Sequence, residues 1–173
     1  ENNLAYELIQ KLDKGSAHLL FEDEGKHIGS IYLPKNFANY LSTAPLIVLE
    51  TSFEERVEIT FDEYIIKAQE SYQNSFKNNA FELWSSDIEN SMAKIQKKLG
   101  SMRYKIVCDL FKNAVNIQKA QGPLDSYKEW ISYLLSEYYD PMYDYQLEKN
   151  KERILFRGSL FEVINYLEDL KIK

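Results

Sequence analysis

Glu22 and Glu24 alternate along the end of the apolar run His18-Leu19-Leu20-Phe21, so an extended chain would turn both carboxylates to one side. At the carboxyl end of a strand in an open α/β sheet, paired acids can hold Mg²⁺ or a substrate group. The same pair is also what a solvated acidic turn contains. Five cations, Lys94, Lys97, Lys98, Arg103 and Lys105, lie between Ser91 and Val107, a stretch with no acid. In a chain of formal charge −6 that concentration is the footprint a phosphate backbone requires. Lysines at a helix C-terminus would also simply complement the helix dipole. Four tyrosines, Tyr138, Tyr139, Tyr143 and Tyr145, surround Pro141 within ten residues. Such rings can stack on splayed RNA bases, with Lys149, Lys151, Arg153 and Arg157 following to pair with phosphates. They can equally pack a helical core with their hydroxyls at its rim.

Other chemistries are absent from the pattern. The six glycines build neither G-x-x-x-x-G-K-[ST] nor G-x-G-x-x-G, so no phosphate cradle of either kind is encoded. His18 and His27 are the only histidines and lack zinc-site spacing, which leaves no metal site to expect. Cys108 excludes an internal disulfide; it shares the apolar face of its helix with Tyr104, Phe111 and Val115, where a buried structural thiol is expected. No catalytic nucleophile is assigned.

The elements that would position these groups follow from periodicity. A chain of 173 residues fits one domain with an appended lobe, and its 45% hydrophobic content can bury a core without staples. Leu4, Leu8 and Leu12 predict a short helix stopped at Gly15. The runs 18–21 and 28–33 predict two strands around Gly25, Pro34 a helix start, and Leu46-Ile47-Val48-Leu49 a strand apolar on both faces, as in a central parallel strand. Ser52 and Glu55 form a capping box ahead of a long helix through Phe53, Val57, Phe61, Tyr64, Ala68 and Tyr72. Further helices are predicted from Trp84 to Leu99, from Arg103 to Lys119, and after a second box, Ser126 with Glu129. Gly100 takes a left-handed C-terminal position, and Asp140-Pro141 should end or kink the fourth helix. Ile154-Leu155-Phe156 predicts a last strand, and Ser159 with Glu162 caps a terminal helix. The fold class is therefore helix-rich α/β, a few short strands with a large helical insertion. No apolar run reaches the roughly 18 residues of a spanning helix, and no signal peptide opens the chain, so a cytoplasmic location is expected with no membrane partner. An acidic pI of about 5.1 argues against generic DNA binding.

The string YYDPMYDYQLEK at 138–149 resembles a signature of the tRNA 2-selenouridine synthase family. FEDEGKHIGSIYLP at 21–34, APLIVLETSFEERVE at 44–58, LGSMRY at 99–104 and ILFRGSLFEVINYL at 154–167 match in the same order. The resemblance implies an enzyme that replaces sulfur by selenium in wobble 2-thiouridine of tRNA, a transferase using selenophosphate and, for an S-geranylated intermediate, geranyl diphosphate. It also implies an N-terminal rhodanese-like module and a P-loop-type domain. This chain carries neither the cysteine module nor the Walker-type loop, so it resembles the C-terminal part of such an enzyme, expected to be inactive alone and without its own cofactor. Residues 1–52 would complete a P-loop-type α/β domain with an incomplete sheet, 53–147 would form a helical lobe, and 148–173 would return to the α/β domain. The resemblance places Glu22, Glu24, Arg56, Asp140, Asp144 and Gln146 around a substrate pocket. For tRNA binding, composition and spacing point to Lys94, Lys97, Lys98, Lys105, Tyr138 and Tyr139, and Arg103, Tyr143 and Arg157, which match family positions, join them. Tyr104 and Gly158 also match family positions. The competing expectation is a structural and assembly lobe that packs on the missing N-terminal domains without touching RNA.

Overall fold

The computed structural model describes residues 2–14, 18–23, 25, 27–28 and 31–171. The expected stop at Gly15 and the acid Glu24 lie outside them. The chain divides into two compact units, one made of residues 1–50 with 150–173, the other of residues 51–149.

The second unit is all helix. Helices α3 (Phe53–Phe61) and α4 (Ala68–Phe76) join through a π-helical segment, Asp62–Lys67, and α5 (Ala80–Leu99) and α6 (Ser101–Lys119) follow. A 3₁₀ turn, Leu124–Ser126, leads into α7 (Tyr127–Leu134), which runs through a second π segment, Leu135–Tyr139, into α8 (Asp140–Lys149). The first capping box forms as expected, Glu55 N–H donating to Ser52 Oγ at 3.1 Å. Where α5 meets α6, Gly100 serves both ends with φ +78° and ψ 161°, a backbone only glycine adopts without strain. The core is aromatic: Trp84, Phe111, Tyr127, Ile65, Ile131 and Val107 are fully buried. Phe111 sits at the centre, its ring 5.0 Å from that of Trp130 and 5.9 Å from those of Trp84 and Tyr127. The polar tips are paired, since the Tyr127 hydroxyl donates to Gln118 Oε1 at 2.6 Å and the Trp84 indole to the Tyr64 carbonyl at 3.0 Å.

Three expectations fail in this unit. Ser126 caps nothing: it is itself helical, and its hydroxyl donates to the Pro123 carbonyl at 2.9 Å within the 3₁₀ turn. Asp140-Pro141 does not end the helix. Proline at 141 clashes with the carbonyl four residues back in an α-helix, and the π segment immediately before it widens that turn, the Asp140 N–H reaching Leu135 O, so the rod continues to Lys149. Cys108 is half-buried rather than sealed in the core, and the Tyr104 hydroxyl pairs with it, which raises the phenol above its ordinary range.

The first unit holds α1 (Asn2–Asp13), a hairpin of β1 (His27–Ile28) and β2 (Ile31–Tyr32), and α2 (Lys35–Leu41). Strand β3 (Leu46–Leu49) pairs in parallel with β4 (Ile154–Gly158), and α9 (Leu160–Lys171) packs on both. Helix-rich α/β architecture with a parallel pair is thus present. The run 18–21 is not a strand; it is irregular, with Leu20 69% exposed. Leu19, Leu20 and Phe21 fit the buried-strand pattern, but no neighbour among the described residues supplies a ladder for them, and the hairpin forms instead at 27–32, downstream of Gly25. The box at Ser159 does form: the Ser159 hydroxyl donates to Glu162 Oε2 at 2.7 Å and its N–H at 2.8 Å, together holding the Glu162 carboxyl below the usual carboxylate range.

Candidate functional site

The acid-free stretch folds into one corner. Lys94, Lys97 and Lys98 lie on α5, the last two in its final turn; Arg103 and Lys105 lie at the start of α6, with the Gly100 backbone between. All five side chains are exposed. Lys97 and Lys98 complement the negative end of the α5 dipole, so their presence costs nothing to explain. Arg103 sits in the first turn of α6, which holds no acid, and there a cation is unfavourable; Lys105 lies just beyond that turn. Helix stability therefore accounts for Lys97 and Lys98 and opposes Arg103. Among the described residues, Arg103 alone of the five enters an ion pair, its Nε standing 3.2 Å from Glu137 Oε2.

A second cluster lies where the first turn of α3 meets the start of α8. The Arg56 guanidinium grips Asp140 with both terminal nitrogens, Nη1 on Oδ1 and Nη2 on Oδ2, the latter at 3.0 Å. Phe53 stacks beneath the cation at 5.6 Å. The hydrogen bond to Asp140, with added attraction from Asp140, Asp144 and Glu54, raises the Arg56 pKa further above its ordinary value, against the cost of partial burial. Arg56 Nε is buried and has no partner among the described residues. Asp140 and Asp144 both act on Arg56, while Gln146 lies exposed farther along α8. An arginine already closed on one carboxylate is a fixed element of the wall; an anion would have to compete with Asp140 for it.

The tyrosines divide by depth. Tyr138 and Tyr139 pack on the core, edge to face at 4.9 Å, and burial pushes the Tyr139 phenol up. Tyr143 and Tyr145 stand exposed on α8. Only these outer rings have a free face for stacking.

In the first unit, Arg157 on β4 is exposed with Nη1 3.8 Å from Glu50 Oε1, at the carboxyl ends of the parallel strands. Glu22 is exposed in the irregular segment, and the acid beside it, Asp23, is the one engaged, 3.6 Å from Arg153 Nη2. Arg153 is committed to the backbone: its Nε donates to the Ala44 carbonyl at 2.8 Å and Nη2 to the Leu41 carbonyl at 3.1 Å, which ties the α2 exit to β4. Glu50 was missed in the sequence although the rule applied to Glu22 and Glu24 marks it better, since it directly follows the apolar strand Leu46–Leu49. Among the described residues no cluster of three or more metal-binding side chains occurs, and no helix is long and apolar enough to cross a membrane.

Comparison with known proteins decides the family. A family model described as "tRNA 2-selenouridine synthase AAA domain" matches residues 1–173. The chain belongs to the tRNA 2-selenouridine synthase family. It is 56% identical over 171 residues to a protein of Sulfurovum sp. (strain NBC37-1) named tRNA 2-selenouridine synthase, covering 99% of this chain and 47% of the relative. A protein of the same name from Photobacterium profundum is 37% identical, covering 98% of this chain and 47% of that one. One from Pseudomonas aeruginosa (strain LESB58) is 36% identical, covering 96% and 46%. The chain spans about half the length of the curated relatives it matches. No solved structure matches it.

Proposed function

We propose that this selenouridine synthase region is the substrate-binding part of a transferase that replaces sulfur by selenium in wobble 2-thiouridine of tRNA. In this reading it presents a basic and aromatic surface to the tRNA. Selenophosphate and geranyl diphosphate are substrates of the longer enzyme, the S-geranylated nucleoside is its intermediate, and the reactive groups come from outside residues 1–173. In this reading the parallel β3–β4 pair, with Glu50 and Arg157 at its carboxyl ends, belongs to a P-loop-type sheet.

The observation that supports RNA binding here is the placement of Arg103 and Lys105 in α6. Arg103 opposes the α6 dipole with one acid, Glu137, beside it, and with Lys105 and three more cations it forms a stretch with no acid interspersed, a placement that a polyanion favours. Tyr143 and Tyr145 add exposed rings on α8, and Arg103 is anchored toward the π segment that leads into it through Glu137. Fluorescence-anisotropy titration with a glutamine- or lysine-type tRNA carrying 2-thiouridine, across a salt series, tests the reading. Wild type is expected to bind with a steep salt slope. Changing Lys97, Lys98 and Arg103 to Glu should flatten that slope by about 2 to 3, at roughly 0.9 for each phosphate no longer neutralised. Binding unaltered by the triple change, or insensitive to salt, refutes it. The competing reading, an assembly lobe that does not touch RNA, requires no binding at any salt.

A further inference from the structure

Met102 is the most exposed large apolar side chain among the described residues, at 79%, and it stands in the first turn of α6. The joint it occupies does not need it. Leu99, just before Gly100, is 4% exposed and Tyr104 packs on the same core, so the entry into α6 is already held from the inside. Ile106, one turn on and on the same face as Met102, is 37% exposed, and Lys105 shares that face. The first acid along it is Asp109. A lone exposed apolar residue is ordinary on a protein surface. This one is set among cations: Lys97 and Lys98 in the turn before Gly100, Arg103 and Lys105 after it, in a stretch with no acid. Its position is also fixed, because a single residue, Gly100, joins the two helices and Arg103 is held by Glu137 at 3.2 Å.

We infer that Met102 is an apolar wedge that enters between two unpaired nucleotides of RNA while the cations around it hold the phosphates on either side. Charge complementarity selects the occupant. An apolar point ringed by cations suits a polyanion whose apolar faces lie beside its charges, which describes a nucleotide strand. Inserting a side chain between paired bases costs the stacking of the step it opens, so a duplex resists the wedge, whereas the bases of a loop are already splayed. Met102 therefore favours looped over fully paired RNA, a discrimination that the lysines, which meet only phosphates, do not supply. A membrane surface fits less well, because an interfacial helix needs a broad apolar face, and here the apolar pair is bounded by exposed Ser101, Lys105 and Asp109. The inference rests on the RNA-binding reading above and adds to it the structural class of RNA that the corner selects.

The test titrates the full 173-residue chain with two RNAs of equal phosphate number across a salt series. One is a stem–loop with 2-aminopurine in its loop, the other a fully paired duplex with 2-aminopurine in the stem. Wild type is expected to bind the stem–loop more tightly and to raise 2-aminopurine fluorescence there as the wedge separates neighbouring bases. Met102→Ala should weaken stem–loop binding about tenfold and abolish that rise, while leaving duplex binding and both salt slopes unchanged, since no phosphate contact is lost. Met102→Leu should restore both. Because the side chain is exposed, the urea midpoint of Met102→Ala should equal that of wild type. A steep salt slope with equal stem–loop affinity in wild type and Met102→Ala overturns the wedge and leaves the phosphate footprint standing. No binding of either RNA at any salt overturns both. Binding to anionic phospholipid vesicles that Met102→Ala abolishes, with RNA binding unaltered, assigns the corner to a membrane surface and likewise overturns the wedge.

Discussion

Replacing Asp140 by Ala isolates the interaction that joins the start of α3 to the start of α8. The Arg56–Asp140 contact is bidentate and charge-assisted, a geometry worth roughly 1.5–3 kcal/mol when sheltered. Its side chains are 35% and 23% exposed, so solvent screening removes part of that value, and about 1–2 kcal/mol remains. The loss is not smaller still, because Arg56 Nε is already buried without a partner among the described residues and Phe53 covers the cation, so the freed guanidinium cannot fully rehydrate in place. Both tryptophans, Trp84 and Trp130, lie in the helical unit, so urea unfolding followed by tryptophan fluorescence reads this unit and not the α/β one. Asp140→Ala should lower the midpoint at unchanged m-value. Asp140→Asn, keeping one acceptor, should lose about half as much. A double-mutant cycle with Arg56→Ala should return a coupling of about 1 kcal/mol. Coupling within error of zero would refute the assignment of Arg56 as a structural clamp and leave it free to face an anion.

Other outcomes follow from the same packing. Phe111→Ala should cost about 3–5 kcal/mol by the same fluorescence assay, since the ring is fully buried between three aromatic neighbours that cannot collapse onto one another. Gly100→Ala meets no atom within 4 Å, so its cost, about 1–3 kcal/mol, is purely that of the backbone at φ +78°; a neutral result would mean that α5 and α6 join differently. Burial raises the Tyr127 phenol above its unfolded value, so the folded state holds that proton more tightly; the stabilisation is complete below about pH 10 and is lost as pH rises toward the folded pKa. Stability measured from pH 8 to 11 should therefore fall at the alkaline end, and Tyr127→Phe should flatten the fall while costing about 1 kcal/mol at neutral pH for the lost bond to Gln118.

What the sequence disclosed is what local rules determine. Ser52 with Glu55 and Ser159 with Glu162 cap their helices because each box closes within four residues, and the apolar runs at 46–49 and 154–156 form strands that pair with one another. Where a tertiary partner decides, the same rules failed. Leu19 and Leu20 had a strand pattern without a neighbouring strand among the described residues, and Ser126 had a cap pattern but its helical conformation was set by the preceding 3₁₀ turn. The cationic corner was legible as composition, and the helix predicted from Arg103 already put a cation at a helix start; the Glu137 partner was not legible, because only the packing of α6 on the segment Leu135–Tyr139 brings it near. Arg153 looked like a phosphate ligand, and only the return of β4 beside β3 brings it to the carbonyls of Leu41 and Ala44.

Pro141 shows how a local violation aims a distant side chain. An α-helical turn before proline would set the ring against the carbonyl of Glu137, so the chain either breaks or inserts an extra residue into the turn. It does the second, and the π segment rotates everything after Tyr139 relative to α7. Asp140 is the first residue past that rotation, and it is the residue that Arg56 grips 84 positions away in the sequence. Pro141→Ala removes the clash and restores a donor, so the turn can tighten to α-helix, which swings Asp140 off the Arg56 axis. Intrinsic helix propensity then gains up to roughly 3 kcal/mol while the clamp, worth about 1–2, is lost. The variant is accordingly expected to be no less stable than wild type, yet the Arg56–Asp140 coupling measured in its background should vanish. Coupling that survives in Pro141→Ala would mean that the helix packing, not the proline, holds the π turn open.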